Sequence, residues 1–127
     1  FGGFEDYAVR YAQVWGAAMI KAEDFGKVAG PRYLALRYED LLAEPDVGIA
    51  AMLGFLELDR DAATIAACRE ATDFAKLSGG RASGEEDPKS FYRKGVAGDW
   101  RETMDAALVE KVVEAAGAAF ARLGYIT

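Results

Sequence analysis

Two adjacent cations, two glycines and an acid-aromatic pair fall within one short run, Phe91-Tyr92-Arg93-Lys94-Gly95-Val96-Ala97-Gly98-Asp99-Trp100. This is where the sequence concentrates its chemistry. Arg93 offers a planar fork of donors that suits a phosphate or sulfate, Lys94 adds a point charge, and Gly95 lets backbone N–H groups approach the same oxygens. Phe91 and Tyr92 precede the cations and can offer a ring face to a purine. An Arg-Lys-Gly run also serves as ordinary solvated surface, and its spacing alone leaves both readings open.

The rest of the composition sharpens this. The chain has 127 residues, a formal net charge of -6, 52% hydrophobic and 28% charged residues, and no histidine. That balance fits one soluble globular domain and argues against nucleic acid or an anionic membrane as partner, either of which needs a clustered basic face. Any anion site must be local. Without histidine the usual general base near neutral pH and the commonest metal ligand are missing, and a lone Cys68 offers no thiolate cluster for zinc. One cysteine also permits no internal disulfide, which points to a reducing, cytoplasmic location. No stretch approaches the roughly 20 apolar residues of a membrane span. The opening Phe1-Gly2-Gly3-Phe4 has neither an initiator Met nor the regions of a signal peptide, and reads as a start in mid-protein.

The elements that must position the segment follow from periodicity. Phe4, Tyr7, Ala8, Tyr11, Val14, Trp15, Ala18, Ala22 and Phe25 predict a long helix with one buried stripe, closed by Gly26, Gly30 and Pro31. Tyr33-Leu34-Ala35-Leu36-Arg37-Tyr38 predicts a buried strand, followed by an acidic turn and a helix that Pro45 starts and Ile49, Met52, Leu53 and Leu56 line. Asp59 or Asp61 caps a further helix through Ile65, Cys68 and Ala71, with a break before Leu77. Residues 78–90, rich in Gly, Ser and acids, predict an exposed mobile loop and a gate over the site. Leu108, Val112, Val113, Ala116, Phe120 and Leu123 predict a closing helix that Gly124 ends. A single buried strand needs neighbours that these residues do not provide.

Arg93-Lys94-Gly95-Val96-Ala97-Gly98-Asp99-Trp100 resembles the Arg-Lys-Gly-x-x-Gly-Asp-Trp signature of sulfotransferases that use 3'-phosphoadenosine 5'-phosphosulfate (PAPS). Tyr38-Glu39-Asp40-Leu41, with Glu44 and Pro45 after it, is similar to that family's Tyr-Glu-Asp-Leu strand end, Phe55-Leu56 to a Phe-Leu pair closing the next helix, and Thr72-Asp73-Phe74 to a Thr-Ser-Phe segment. The helix around Tyr11 and Trp15 is similar to a Trp-containing one before the strand. The resemblance spans residues 4–127. It implies an α/β fold, with residues 1–127 as the mostly helical C-terminal part of a P-loop-like parallel-sheet sulfotransferase domain. It implies sulfuryl transfer from PAPS to the hydroxyl or amine of a small-molecule acceptor, without a metal. In the family the Arg-Lys-Gly turn holds the 3'-phosphate, which carries over to Arg93, Lys94 and Gly95, and adenine contacts carry over to Tyr38, Thr72, Phe74 and Phe91.

The departures also carry information. Asp105-Ala106 stands where cytosolic members often have the Thr-Val of a dimer motif, so Asp105 reads as a helix cap and oligomeric state stays open. Asp73 replaces a small hydroxyl residue and should point away from a phosphate. No phosphate loop and no His base occur, so the expected partner is the N-terminal half of the same enzyme, and this portion alone should bind nucleotide without catalysing. Two alternatives remain at this level: a fragment of a P-loop nucleotide or sugar kinase, and a non-catalytic helical interaction module.

Overall fold

The computed structural model describes residues 2–125, which form two compact units. One is built from the residues up to Tyr33 together with those from Trp100 onward, and the other from Leu34–Asp99. Among the described residues there is helix and turn and no strand. This corrects the expected α/β class and its parallel sheet. Tyr33 (φ -131°, ψ 129°) and Arg37 (φ -92°, ψ 140°) do have extended backbone. Extension is not a strand, however, because a strand is defined by a ladder with a neighbour. The Tyr33 N–H turns back to the Gly30 carbonyl at 3.1 Å, and Tyr38 is drawn into the next helix.

In the first unit, helix α1 (Phe4–Ala29) packs against α7 (Ala106–Ala116) and α8 (Ala119–Arg122), with α6 (Trp100–Thr103) ahead of α7. The buried face of α1 is not the predicted aromatic stripe. Ala12, Gly16 and Ala29 are buried, whereas Tyr7 and Tyr11 are 67% and 60% exposed and stack on each other at 6.0 Å. Two apolar stripes run along this helix, and the one with small residues wins because α7 comes so close. A Cβ built on Gly16 would lie 2.4 Å from the Ala116 carbonyl oxygen. Only at the end of the contact does an aromatic cluster form, where Trp15 meets Phe120 at 5.1 Å and Tyr125 at 6.2 Å. The helix also runs through Gly26, because that position faces the Tyr33 ring, and it ends at Gly30 with φ 57°. The closing helix is broken at Gly117 (φ 60°), and the Asp105 side chain caps α7 by accepting from the Leu108 N–H at 2.8 Å, a contact of about 1 kcal/mol. No helix of the described residues is long and apolar enough to cross a membrane.

The second unit strings together α2 (Tyr38–Ala43), α3 (Pro45–Phe55), α4 (Ala62–Ala71) and α5 (Phe74–Leu77). The expected acidic turn is α2 itself, with Glu39 and Asp40 in its first turn where the helix dipole favours anions. Ile49 and Leu53 of α3 are buried, and Gly48 lets the Leu41 side chain of α2 lie against it. Pro45 stands in the first turn of α3, and Asp61 caps α4 through the Thr64 N–H at 2.8 Å. The break expected before Leu77 falls at Thr72-Asp73.

Candidate functional site

All seven candidate residues belong to the second unit, and Tyr38, Phe74, Phe91, Arg93, Lys94 and Gly95 border one concavity of about 290 Å³ together with Tyr92 and Val96. Thr72 is not among the lining residues. Its hydroxyl donates to the Cys68 carbonyl at 3.0 Å, which ends α4, and Asp73 then accepts the Lys76 N–H at 3.1 Å, which starts α5. Asp73 is thus a helix cap. The break swings Phe74 onto the glycine turn: a Cβ on Gly95, whose φ is +66°, would lie 2.4 Å from the Phe74 ring. Phe91 is 93% exposed and meets Tyr92 edge-on at 5.2 Å, while Tyr38 enters from the start of α2. An apolar ring left so open in water is a surface for something to cover.

The charges at the site are already engaged. Arg93 pairs through one guanidinium nitrogen with Glu86 and through the other with Asp99, and Lys94 pairs with the second Asp99 oxygen. The Asp99 side chain keeps 12% of its accessibility and Lys94 17%, whereas Arg93 keeps 47%. An incoming anion therefore meets Arg93 first and competes with Glu86 for it. The Lys94 ammonium, and then the Arg93 guanidinium, hold the Asp99 carboxyl below the usual carboxylate range. A carboxyl lowered by folding contributes stability that is present above its unfolded pKa, about 3.9, and is lost as pH falls through the lowered folded value. Asp99→Asn is expected to flatten the acid limb of a plot of melting temperature against pH below about pH 4, following that reference value. An acid limb identical to that of the parent chain would assign it to other carboxylates.

The expected mobile loop over residues 78–90 is held to the glycine turn by a set of bonds. The Gly84 N–H donates to the Lys94 carbonyl at 2.8 Å, the Asp87 N–H to the Arg93 carbonyl at 3.0 Å, and the Ser83 hydroxyl to the Gly95 carbonyl at 2.7 Å. Glu86 and Asp99 join the site beyond the expected ligand residues, and Tyr92, expected as a ring face beside Phe91, lines it. The signal for Asp99 is an acid four positions beyond the glycine of a basic turn, but nothing in the run Gly84-Glu85-Glu86-Asp87 distinguishes Glu86. The arrangement offers aromatic faces beside a cationic fork, which suits an aromatic base joined to an anionic group.

Residues 21–124 match the family model of the sulfotransferase domain. The chain belongs to the sulfotransferase domain family. It is 29% identical over 121 residues to cytosolic sulfotransferase 10 of Arabidopsis thaliana, covering 87% of this chain and 33% of that protein. It is also 32% identical over 99 residues to cytosolic sulfotransferase 8 of the same plant, covering 68% of this chain and 30% of that protein. The chain thus spans about a third of the length of these curated relatives. No solved structure matches it. Family membership displaces the kinase alternative, and it places the Arg93-Lys94-Gly95 turn inside the matched region of a sulfotransferase domain.

Proposed function

We propose that this chain supplies the adenine and 3'-phosphate contacts of a sulfotransferase that moves a sulfuryl group from PAPS to an acceptor hydroxyl or amine, releasing adenosine 3',5'-bisphosphate. The observation that carries this reading is the convergence of Tyr38, Phe74, Phe91, Arg93, Lys94 and Gly95 on one concavity. The donor set fits the nucleotide. Arg93 and Lys94 face the charge that separates PAPS from nucleotides without a 3'-phosphate, and the rings of Tyr38, Phe74 and Phe91 face the base. Gly95 has no side chain to collide with the Phe74 ring, which lets that ring close on the turn. In this reading the Thr72 hydroxyl ends α4, and the break that follows aims Phe74 at the base.

In the reaction the acceptor oxygen or nitrogen bonds to sulfur as the bond from sulfur to the bridging phosphate oxygen breaks, and the acceptor proton leaves to a base. Such transfer depends on in-line positioning and on stabilising the charge of the leaving phosphate. The residues named here bind and orient the donor, and none of them takes the proton. The reading treats the chain as the C-terminal portion of a longer cytoplasmic enzyme, without a metal and inactive on its own. Titration calorimetry of the full-length protein tests it: Arg93→Ala is expected to weaken adenosine 3',5'-bisphosphate by about ten- to a hundredfold, the scale of a hydrogen bond to a charged group, and to affect adenosine 5'-monophosphate far less. Equal losses for both nucleotides, or none, would remove the 3'-phosphate role.

A further inference from the structure

Arg81 lies outside the lining of the concavity, yet its guanidinium touches more of the glycine turn than any other side chain named above. One terminal nitrogen donates to the Glu85 and Arg93 carbonyls, both at 2.9 Å, and the other donates to the Ser90 hydroxyl at 3.0 Å and to the Tyr92 carbonyl. The same group sits over the Phe74 ring, 5.5 Å from its centroid. Four acceptors around two nitrogens use every terminal N–H that the guanidinium has. Ser90 is drawn in twice, since its hydroxyl also accepts the Tyr92 N–H at 3.2 Å.

From this geometry we infer that Arg81 is the positioning residue of the anion-binding turn, setting the backbone of Tyr92-Arg93-Lys94 and fixing Phe74 beside it. The inference rests on the nucleotide reading above. The two carbonyls that Arg81 holds belong to the peptide units between Tyr92 and Arg93 and between Arg93 and Lys94. In a trans peptide the N–H points opposite to the carbonyl, so drawing both carbonyls to Arg81 turns the N–H groups of Arg93 and Lys94 away from it. One planar cation thereby sets two successive peptide planes and the starting point of both basic side chains. Lysine would keep the charge but lose the fork, because a single ammonium cannot reach acceptors along two edges or lie flat on a ring. Specificity for the 3'-phosphate then depends on a residue that does not touch it.

The test is the ratio of affinities for adenosine 3',5'-bisphosphate and adenosine 5'-monophosphate, measured by calorimetry on the full-length protein. A general loss of folded protein lowers both affinities alike and leaves the ratio unmoved, whereas a displaced turn lowers the ratio. Arg81→Lys is expected to reduce it about tenfold, in line with the loss of hydrogen bonds from a charged group. Ser90→Ala removes one of the four acceptors and is expected to reduce it about threefold; it carries the test if Arg81→Lys does not fold, as thermal melting would show. An Arg81→Lys ratio equal to that of the parent, in a folded protein, overturns the inference and leaves Arg81 as a charge. So does an unmoved ratio in Ser90→Ala if that variant must decide. Arg93→Ala in parallel separates the two claims: a ratio that collapses there but not in the Arg81 and Ser90 variants sinks only the positioning role, and a ratio unmoved by Arg93→Ala sinks the nucleotide reading and this inference together.

Discussion

Gly95→Ala is expected to destabilise the Leu34–Asp99 unit by about 3 kcal/mol and to abolish measurable bisphosphate binding, because two separate penalties fall on one methyl group. The first is conformational. Gly95 has φ +66°, a region that costs an L-residue with a Cβ roughly 1–2 kcal/mol. The second is steric, since the new Cβ would lie 2.4, 2.6 and 2.8 Å from atoms of the Phe74 ring, and forcing extra volume into a packed contact typically costs about 1–3 kcal/mol. Gly79→Ala separates them. Gly79 has φ +78° with nothing within 4 Å of an added Cβ, so it should show the conformational cost alone, about 1 kcal/mol in chemical denaturation. Combining Gly95→Ala with Phe74→Leu should recover part of the steric share, and strict additivity of the two changes would show that the ring contact is not its source.

Gly16→Ala should have an effect of similar size in the other unit, a loss of about 2–4 kcal/mol. The conformation at Gly16 is ordinary helix, and alanine is the better helix former by roughly 1 kcal/mol, so in isolation the substitution should stabilise. The tertiary contact reverses the sign. The new Cβ would lie 2.4 Å from the Ala116 carbonyl oxygen and 2.9 Å from its Cα, and backbone cannot rotate aside as a side chain can. Relief requires α1 and α7 to separate, which opens the buried contacts of Ala12, Leu108 and Ala119. Gly3→Ala is the control, because nothing lies within 4 Å of a Cβ there. A melting temperature for Gly16→Ala at or above that of the parent would mean that the helices do not approach through this glycine.

These two glycines mark where reading along the chain succeeds and where it stops. The basic glycine turn is legible because its signal is local: adjacent unlike chemistries, Arg93, Lys94 and Gly95, at a spacing that a turn can express. Helix boundaries were legible wherever a cap residue announces them, as with Asp61, Asp105 and Pro45. The buried face of α1 was misread, because a helix with two apolar stripes gives no local sign of which one its partner will cover. The run Tyr33 to Tyr38 was misread for a related reason. Extended backbone depends on the residues themselves, but a strand depends on a neighbour, and the described residues provide none.

The contrast between Arg93 and Arg81 states the division most clearly. What Arg93 offers a ligand is a property of its own side chain and its nearest neighbours in sequence, so the sequence by itself determined the basic glycine turn, its aromatic flank and the membership of the chain among sulfotransferase domains. Only the tertiary structure decided that Glu86 and Asp99 already occupy that arginine, that Thr72 serves a helix end, and that Arg81 holds the carbonyls of Tyr92 and Arg93. Backbone carbonyls are identical at every position, so no residue pattern can announce which of them a distant guanidinium will find.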